Sequence, residues 1–185
     1  GLPDLYDYTG ASAGLGGWSL MGVGNWGGPN FDGTSPVHMD GWSKYKLGFV
    51  AATEIGTTTR GIALQSVETS GNILLLKTGM PGKQYFLLEN RTQTGFNRYL
   101  PGAGLAIYHV DESRLASPAL GPAACGSPSA ASCNENDKNH YLVDLEQADG
   151  RRTLNMDPRA GGDSTDLFPT ATAKEFTART TPSSV

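Results

Sequence analysis

Long apolar runs are missing from this sequence. Its longest strongly apolar stretch is Ile73–Leu76, far short of the roughly 20 residues that cross a bilayer as a helix, so it offers no membrane span. Charge is sparse: 17% of residues are charged and the net charge is −4, below the usual share of about a quarter. Lys and Arg never cluster beyond pairs such as Arg151-Arg152. That excludes the basic footprint which nucleic acid demands. Cysteine is nearly absent. Cys125 and Cys133 lie together in a loop rich in Ala, Ser, Pro and Gly. A disulfide there would close a small ring, contribute about 2.5 kcal/mol on a chain-entropy view and point to an exported protein; two free thiols in a cytosolic loop are the alternative. No initiator Met is present, and GLPDLYDYTG does not read as the start of a folding unit. A chain lacking its own beginning would also have lost a signal peptide.

Small and turn-forming residues fill the gap left by charge: 25 Gly, 11 Pro and many Ser and Thr. This favours short strands and loops over long helices. With 185 residues the chain makes one domain or most of one, with a real core. Gly10, Gly14, Gly16, Gly17, Gly22, Gly24, Gly27, Gly28 and Gly33 make the N-terminal region a series of tight turns, with Trp18, Leu20, Met21 and Trp26 as packing anchors. A helix is expected next, capped by Thr34 or Ser35, with Pro36 in its first turn and Gly48 at its end. It would carry His38, Trp42 and Tyr45 on one face.

Strands follow. Ile62–Val67 and Ile73–Lys77 flank Thr69-Ser70-Gly71-Asn72 as a hairpin. Gln84–Glu89 reads as buried on both faces. Leu105–Val110 and Tyr141–Glu146 complete the set, the last with one wet face. Residues 112–139 have the composition of an inserted loop, and the TARTTPSSV tail that of a linker or a cut end. The expected fold class is α+β, with one domain over 1–178 and a linker over 179–185.

Acidic and amide residues gather at Asp111-Glu112, at Asn134–Asp137, and at Asp163 with Asp166. Oxygen-rich loops suit calcium, which takes six to eight oxygen ligands; solvated loops are the alternative. Two H-x-D tripeptides, at His38 and His109, invite a metal reading. In a strand His109 and Asp111 share a face, but in a helix His38 and Asp40 do not. His38 keeps a catalytic or substrate-binding candidacy, while His140 is expected to be exposed. Asn90-Arg91-Thr92 matches a glycosylation acceptor; a packing or hydrogen-bonding role competes with it.

Taken in order, GLPDLYDYTG, GLGGWSLMGVGNWGGP, GTSPVHMDGWSKYKLGFV, KQYFLLENRTQTGFNRYLPGAGLAIYHVDES, NHYLVDLEQADGRRTL and GGDSTDLFP resemble the secreted zinc metallopeptidases of the immune inhibitor A family. These are metzincin-like enzymes. They carry H-E-x-x-H on a helix, then x-x-G-x-x and a third ligand, then a turn bearing Met. The resemblance covers most of the chain outside 112–139 and the last dozen residues. It implies that Gly1 is the Gly of the extended motif, Asp4 the third zinc ligand (with Asp7 as the alternative) and Met21 the turn methionine beneath the metal. It further implies an extracellular endopeptidase of protein or peptide substrates, with zinc; Asp163 and Asp166, the candidate calcium ligands among the oxygen-rich loops, lie in one of these blocks.

Two departures stand out. His38, His109 and His140 are the only histidines and none lies in H-E-x-x-H, so the two imidazole ligands and the general-base Glu are absent. Val23 occupies the position where some metzincins place a Tyr. The expectation is therefore a fragment that lacks the N-terminal part of its catalytic domain and is inactive alone. A secreted non-catalytic module that binds protein or glycan is the competing class.

Overall fold

The computed structural model describes residues 2–7, 9–116 and 140–184. Gly1, Cys125, Cys133 and the Asn134–Asp137 stretch lie outside the described residues. Five strands form one mixed sheet in chain order: β1 Ala51–Glu54, β2 Asn72–Leu76, β3 Gln84–Arg91, β4 Gly104–Asp111 and β5 Val143–Leu145. β1 and β2 are parallel and every other neighbouring pair is antiparallel. The helices are short: α1 Gly41–Lys46, α2 Val67–Ser70 and α3 Thr153–Met156. The fold is α+β. No helix among the described residues is long and apolar enough to cross a membrane.

Strand alternation sorts the core into two faces. Tyr85 and Leu87 of β3 join Ala106, Tyr108 and Val110 of β4 in the main core, with Leu5, Leu15, Trp18 and Trp42 from the N-terminal region. Phe86 and Ile107 lie in a second cluster with Phe168, and Phe176 stacks edge-on against both phenylalanines. The unbroken apolar run in β3 is thus explained: the glycine-rich layer with α1 covers one face and the C-terminal segment covers the other. Each large side chain buried this way contributes about 1.5–3 kcal/mol.

Two expected elements are corrected. The helix begins at Gly41, with Asp40 as its N-cap accepting from Ser43 N at 2.9 Å. Thr34 and Ser35 do not cap it, and His38 precedes it. Asp40 wins because Ser19 Oγ also donates to it, at 2.7 Å, within a buried pocket. Gly48 does terminate the helix, at φ +75°. No hairpin joins 62–67 to β2. Residues 67–70 instead form α2, closed by left-handed Gly71, on the crossover between the parallel strands β1 and β2. β1 carries no apolar alternation and is recognisable only through its pairing with β2.

Candidate functional site

Backbone hydrogen bonds bring the first residues to the methionine turn. Leu5 N donates to Met21 O at 2.7 Å, and Leu15 N donates back to Leu5 O at 2.9 Å. The turn itself is tight, since Gly22 N and Gly24 N both donate to Ser19 O at 3.0 Å and Val23 N donates to Gly16 O at 2.8 Å. A Cβ at Gly22 would stand 2.4 Å from Gly16 O, so only glycine fits. Met21 is half-buried and packs on the main core. Asp4 sits one residue before this junction, half-buried, and accepts from Tyr6 OH at 3.3 Å. Asp7 is differently engaged. It is buried, its Oδ1 accepts from Thr9 N at 2.7 Å and Thr9 Oγ1 at 2.6 Å, and its Oδ2 meets Ser12 Oγ at 3.5 Å. Its carboxylate closes a local turn.

A buried ionic network clamps this layer to the sheet. Glu89 and Arg91 follow Tyr85 and Leu87 on the same face of β3 and are fully buried. Arg91 Nη1 donates to Glu89 Oε1 at 2.9 Å and to Trp18 O at 3.0 Å, and Nη2 reaches His38 O at 3.5 Å. Arg91 Nε lies 3.4 Å from Glu68 Oε1. Glu89 also accepts from Tyr108 OH at 2.8 Å and Gly41 N at 3.1 Å, and pairs with Lys44 at 3.5 Å. Burial works to raise the Glu89 pKa, but the charges of Arg91 and Lys44 and the Tyr108 hydrogen bond outweigh it and hold it below the ordinary carboxylate value. Ser19 Oγ extends the clamp to the turn by accepting from Met21 N at 3.0 Å and Asp40 N at 3.2 Å.

His38 lies beside the turn, since Leu20 N donates to His38 O at 3.3 Å. Its ring stacks edge-on with Phe96 at 5.7 Å. It opens on a groove of about 300 Å³ lined by Leu20, Met39, Lys44 and Phe49. Burial, then Lys44 and Arg91, lower its pKa, which keeps the ring neutral near pH 7.

The second H-x-D tripeptide is not a shared ligand pair. His109 Nε2 contacts Gln84 Oε1 at 2.9 Å, whereas Asp111 Oδ2 contacts His140 Nε2 at 2.6 Å. His140 is thereby half-buried, not exposed. Glu112 is committed to Tyr85 OH at 2.6 Å and Lys46 Nζ at 2.8 Å. Asn90 Nδ2 donates to Leu64 O at 2.9 Å, the hydrogen-bonding role that competed with glycosylation.

Asp163 and Asp166 do come together, and Asp149, which the sequence did not single out, joins them. One carboxylate oxygen from each lies within 4.8 Å of the others. Asp166 is fully buried and its pKa is pushed up to about 6, by burial first and then by Asp163 and Asp149, against the hydrogen bonds from Asp163 N and Trp18. Among the described residues this is the one group of three or more His, Cys, Asp or Glu side chains arranged to hold a metal. Asp4, Asp7 and the histidines are not in it.

Comparison of the chain with protein-family models, with curated proteins and with solved structures returns no match.

Proposed function

We propose that this chain is part of a secreted zinc-dependent metalloendopeptidase, the part that follows the H-E-x-x-H helix. Its contributions would be the third metal ligand, a carboxylate, the floor beneath the metal and part of the cleft wall. The observation that supports this most is the bond from Leu5 N to Met21 O at 2.7 Å, which sets Asp4 beside a tight, glycine-dependent turn bearing Met. A third ligand and a methionine floor need that juxtaposition. Asp4 suits the ligand role better than Asp7, because Asp7 spends its carboxylate on Thr9 and Ser12.

When bound, the metal supplies Lewis acidity at the scissile carbonyl. In the intact enzyme the general base is the Glu of the upstream motif. This chain's own residues position the rest. Asp4 would be the residue of this chain that holds the metal, and Met21 would give the site an apolar floor. Neutral His38, in a groove with Leu20, Met39 and Phe49, orients substrate by hydrogen bonding while the groove receives an apolar side chain.

The test is the coding sequence upstream of Gly1 together with the product it encodes. An in-frame H-E-x-x-H-x-x and casein cleavage abolished by a chelator are expected, with no cleavage by the 185 residues alone. An in-frame stop, or an extended product without activity, overturns the reading. A second reading draws on Trp26 and Phe31, which are 57% and 68% exposed on the glycine-rich layer. Exposed aromatics of this kind suit a protein- or glycan-binding module, and ligand capture lost in Trp26→Ala, with no cleavage, would favour it.

A further inference from the structure

We propose that the C-terminal segment 177–184 is a pH-sensitive strap, seated beside β5 while the Glu146 carboxyl carries its proton and released once that carboxyl ionises. The segment and Glu146 share two cavities. One, of about 510 Å³, is lined by Met80, Phe86, His109, Glu146, Ser183 and Ser184. The other, of about 250 Å³, is lined by Asp144, Glu146, Arg152, Thr181, Pro182 and Ser183. Glu146 thus lines both cavities together with the strap. Among the described residues none donates a hydrogen bond to its carboxyl. A carboxylate enclosed in this way without a donor is costly, and the protonated form removes the cost.

The strap is anchored at its base. Phe176 stacks edge-on against Phe86 at 5.1 Å and Phe168 at 5.9 Å. Beyond it, Thr180 N and Ser184 N both donate to Thr177 O, at 3.2 and 3.1 Å, so these bonds close the segment on itself and not on the sheet. Thr181 rests on Gly150, where an added Cβ would fall 3.0 Å from Thr181 Cγ2 and 3.1 Å from Thr181 O. A segment held by such contacts can leave while the sheet stays intact.

The charges around Glu146 favour release as pH rises. Asp144 of β5 is a like charge that works against ionisation, and Arg152, 3.8 Å from Asp144 Oδ2, works for it. His109 of β4 is neutral, its pKa lowered by burial first and then by His140, and His140 is paired with Asp111 at 2.6 Å. Residues 180–184 and the turn between β2 and β3 that lines the larger cavity carry no acid or base. Burial, then Asp144, push the Glu146 pKa up to about 8. A value raised above the free one of about 4.3 stabilises the seated strap fully in acid; that stabilisation is lost as pH rises from the free value to 8, and no more is lost above it. Release would open the larger cavity and bare Met80 and Phe86. The strap stands apart from the peptidase reading.

Residue-resolved hydrogen exchange on the 185-residue chain tests this. Relative to intrinsic rates, protection of the Thr180 and Ser184 amides should fall by up to about tenfold per pH unit between about pH 5 and 8, the slope that one proton gives, and level off above. Amides of β3 and β4 should stay far more protected throughout. In Glu146→Gln, which has no proton to lose, strap protection should lose most of its pH dependence. A fall of less than about threefold from pH 5 to pH 8 in the unaltered chain would overturn the proposal. So would an equal fall in Glu146→Gln, or strap amides that exchange together with those of β3 and β4, which would mean global unfolding.

Discussion

Replacing Arg91 by Met tests the buried clamp most sharply. Arg91 is fully buried and reaches Trp18 O, Glu89, His38 O and Glu68. Without it, Glu89 stays buried with Lys44 at 3.5 Å as its nearest counter-charge. Breaking a buried pair by removing one partner costs about 3–5 kcal/mol, a large share of a total stability of about 5–15 kcal/mol. The cost carries a pH signature. The folded Glu89 pKa is lowered, so its contribution is present above the unfolded value of about 4.3 and is lost as pH falls through the lower folded value. In the variant burial dominates, the Glu89 pKa rises, and the carboxyl is tolerated only when protonated. The deficit in urea titrations, followed by the fluorescence of buried Trp18 and Trp42, should be largest at pH 7 and shrink at pH 4. Adding Glu89→Met should recover part of it, because an apolar pair replaces the ionic one at little cost. A deficit below about 1 kcal/mol at pH 7, the scale of an exposed pair, or one equal at both pH values, would refute the clamp.

Two further substitutions probe other parts of the structure. Burial, then Asp144, push the Glu146 pKa up to about 8; that contribution is full below about pH 4.3 and is lost as pH rises through 8, so Glu146→Gln should gain on the order of 3 kcal/mol at pH 8 and nothing at pH 4, read from paired denaturation curves. Gly22→Ala places a methyl 2.4 Å from Gly16 O and should cost about 1–3 kcal/mol, with a matching drop in melting temperature.

Strand content was legible where burial is two-sided. Gln84–Glu89 and Leu105–Val110 announce β3 and β4 because both of their faces meet apolar layers. β1 was not legible, because Ala51–Glu54 is mostly exposed and owes its strand to parallel pairing with β2. The helix start was misplaced because Ser19, far away in sequence, decides that Asp40 is the cap. The clamp did leave a trace: Glu89 and Arg91 sit two and four residues beyond Leu87, and a period of two puts them on its buried face. Asp4, Met21, Asp163 and Asp166 were singled out in the sequence. Asp149 was not, because fourteen residues separate it from Asp163 and only the packing of their loops joins them.

The most direct measurement is the zinc content of the chain extended upstream by its own coding sequence, compared with its Asp4→Ala and Asp7→Ala variants. One zinc per molecule is expected in the unaltered product and in Asp7→Ala, which loses only stability, and none in Asp4→Ala. Retention of zinc by Asp4→Ala at full occupancy would contradict the proposed ligand role of Asp4.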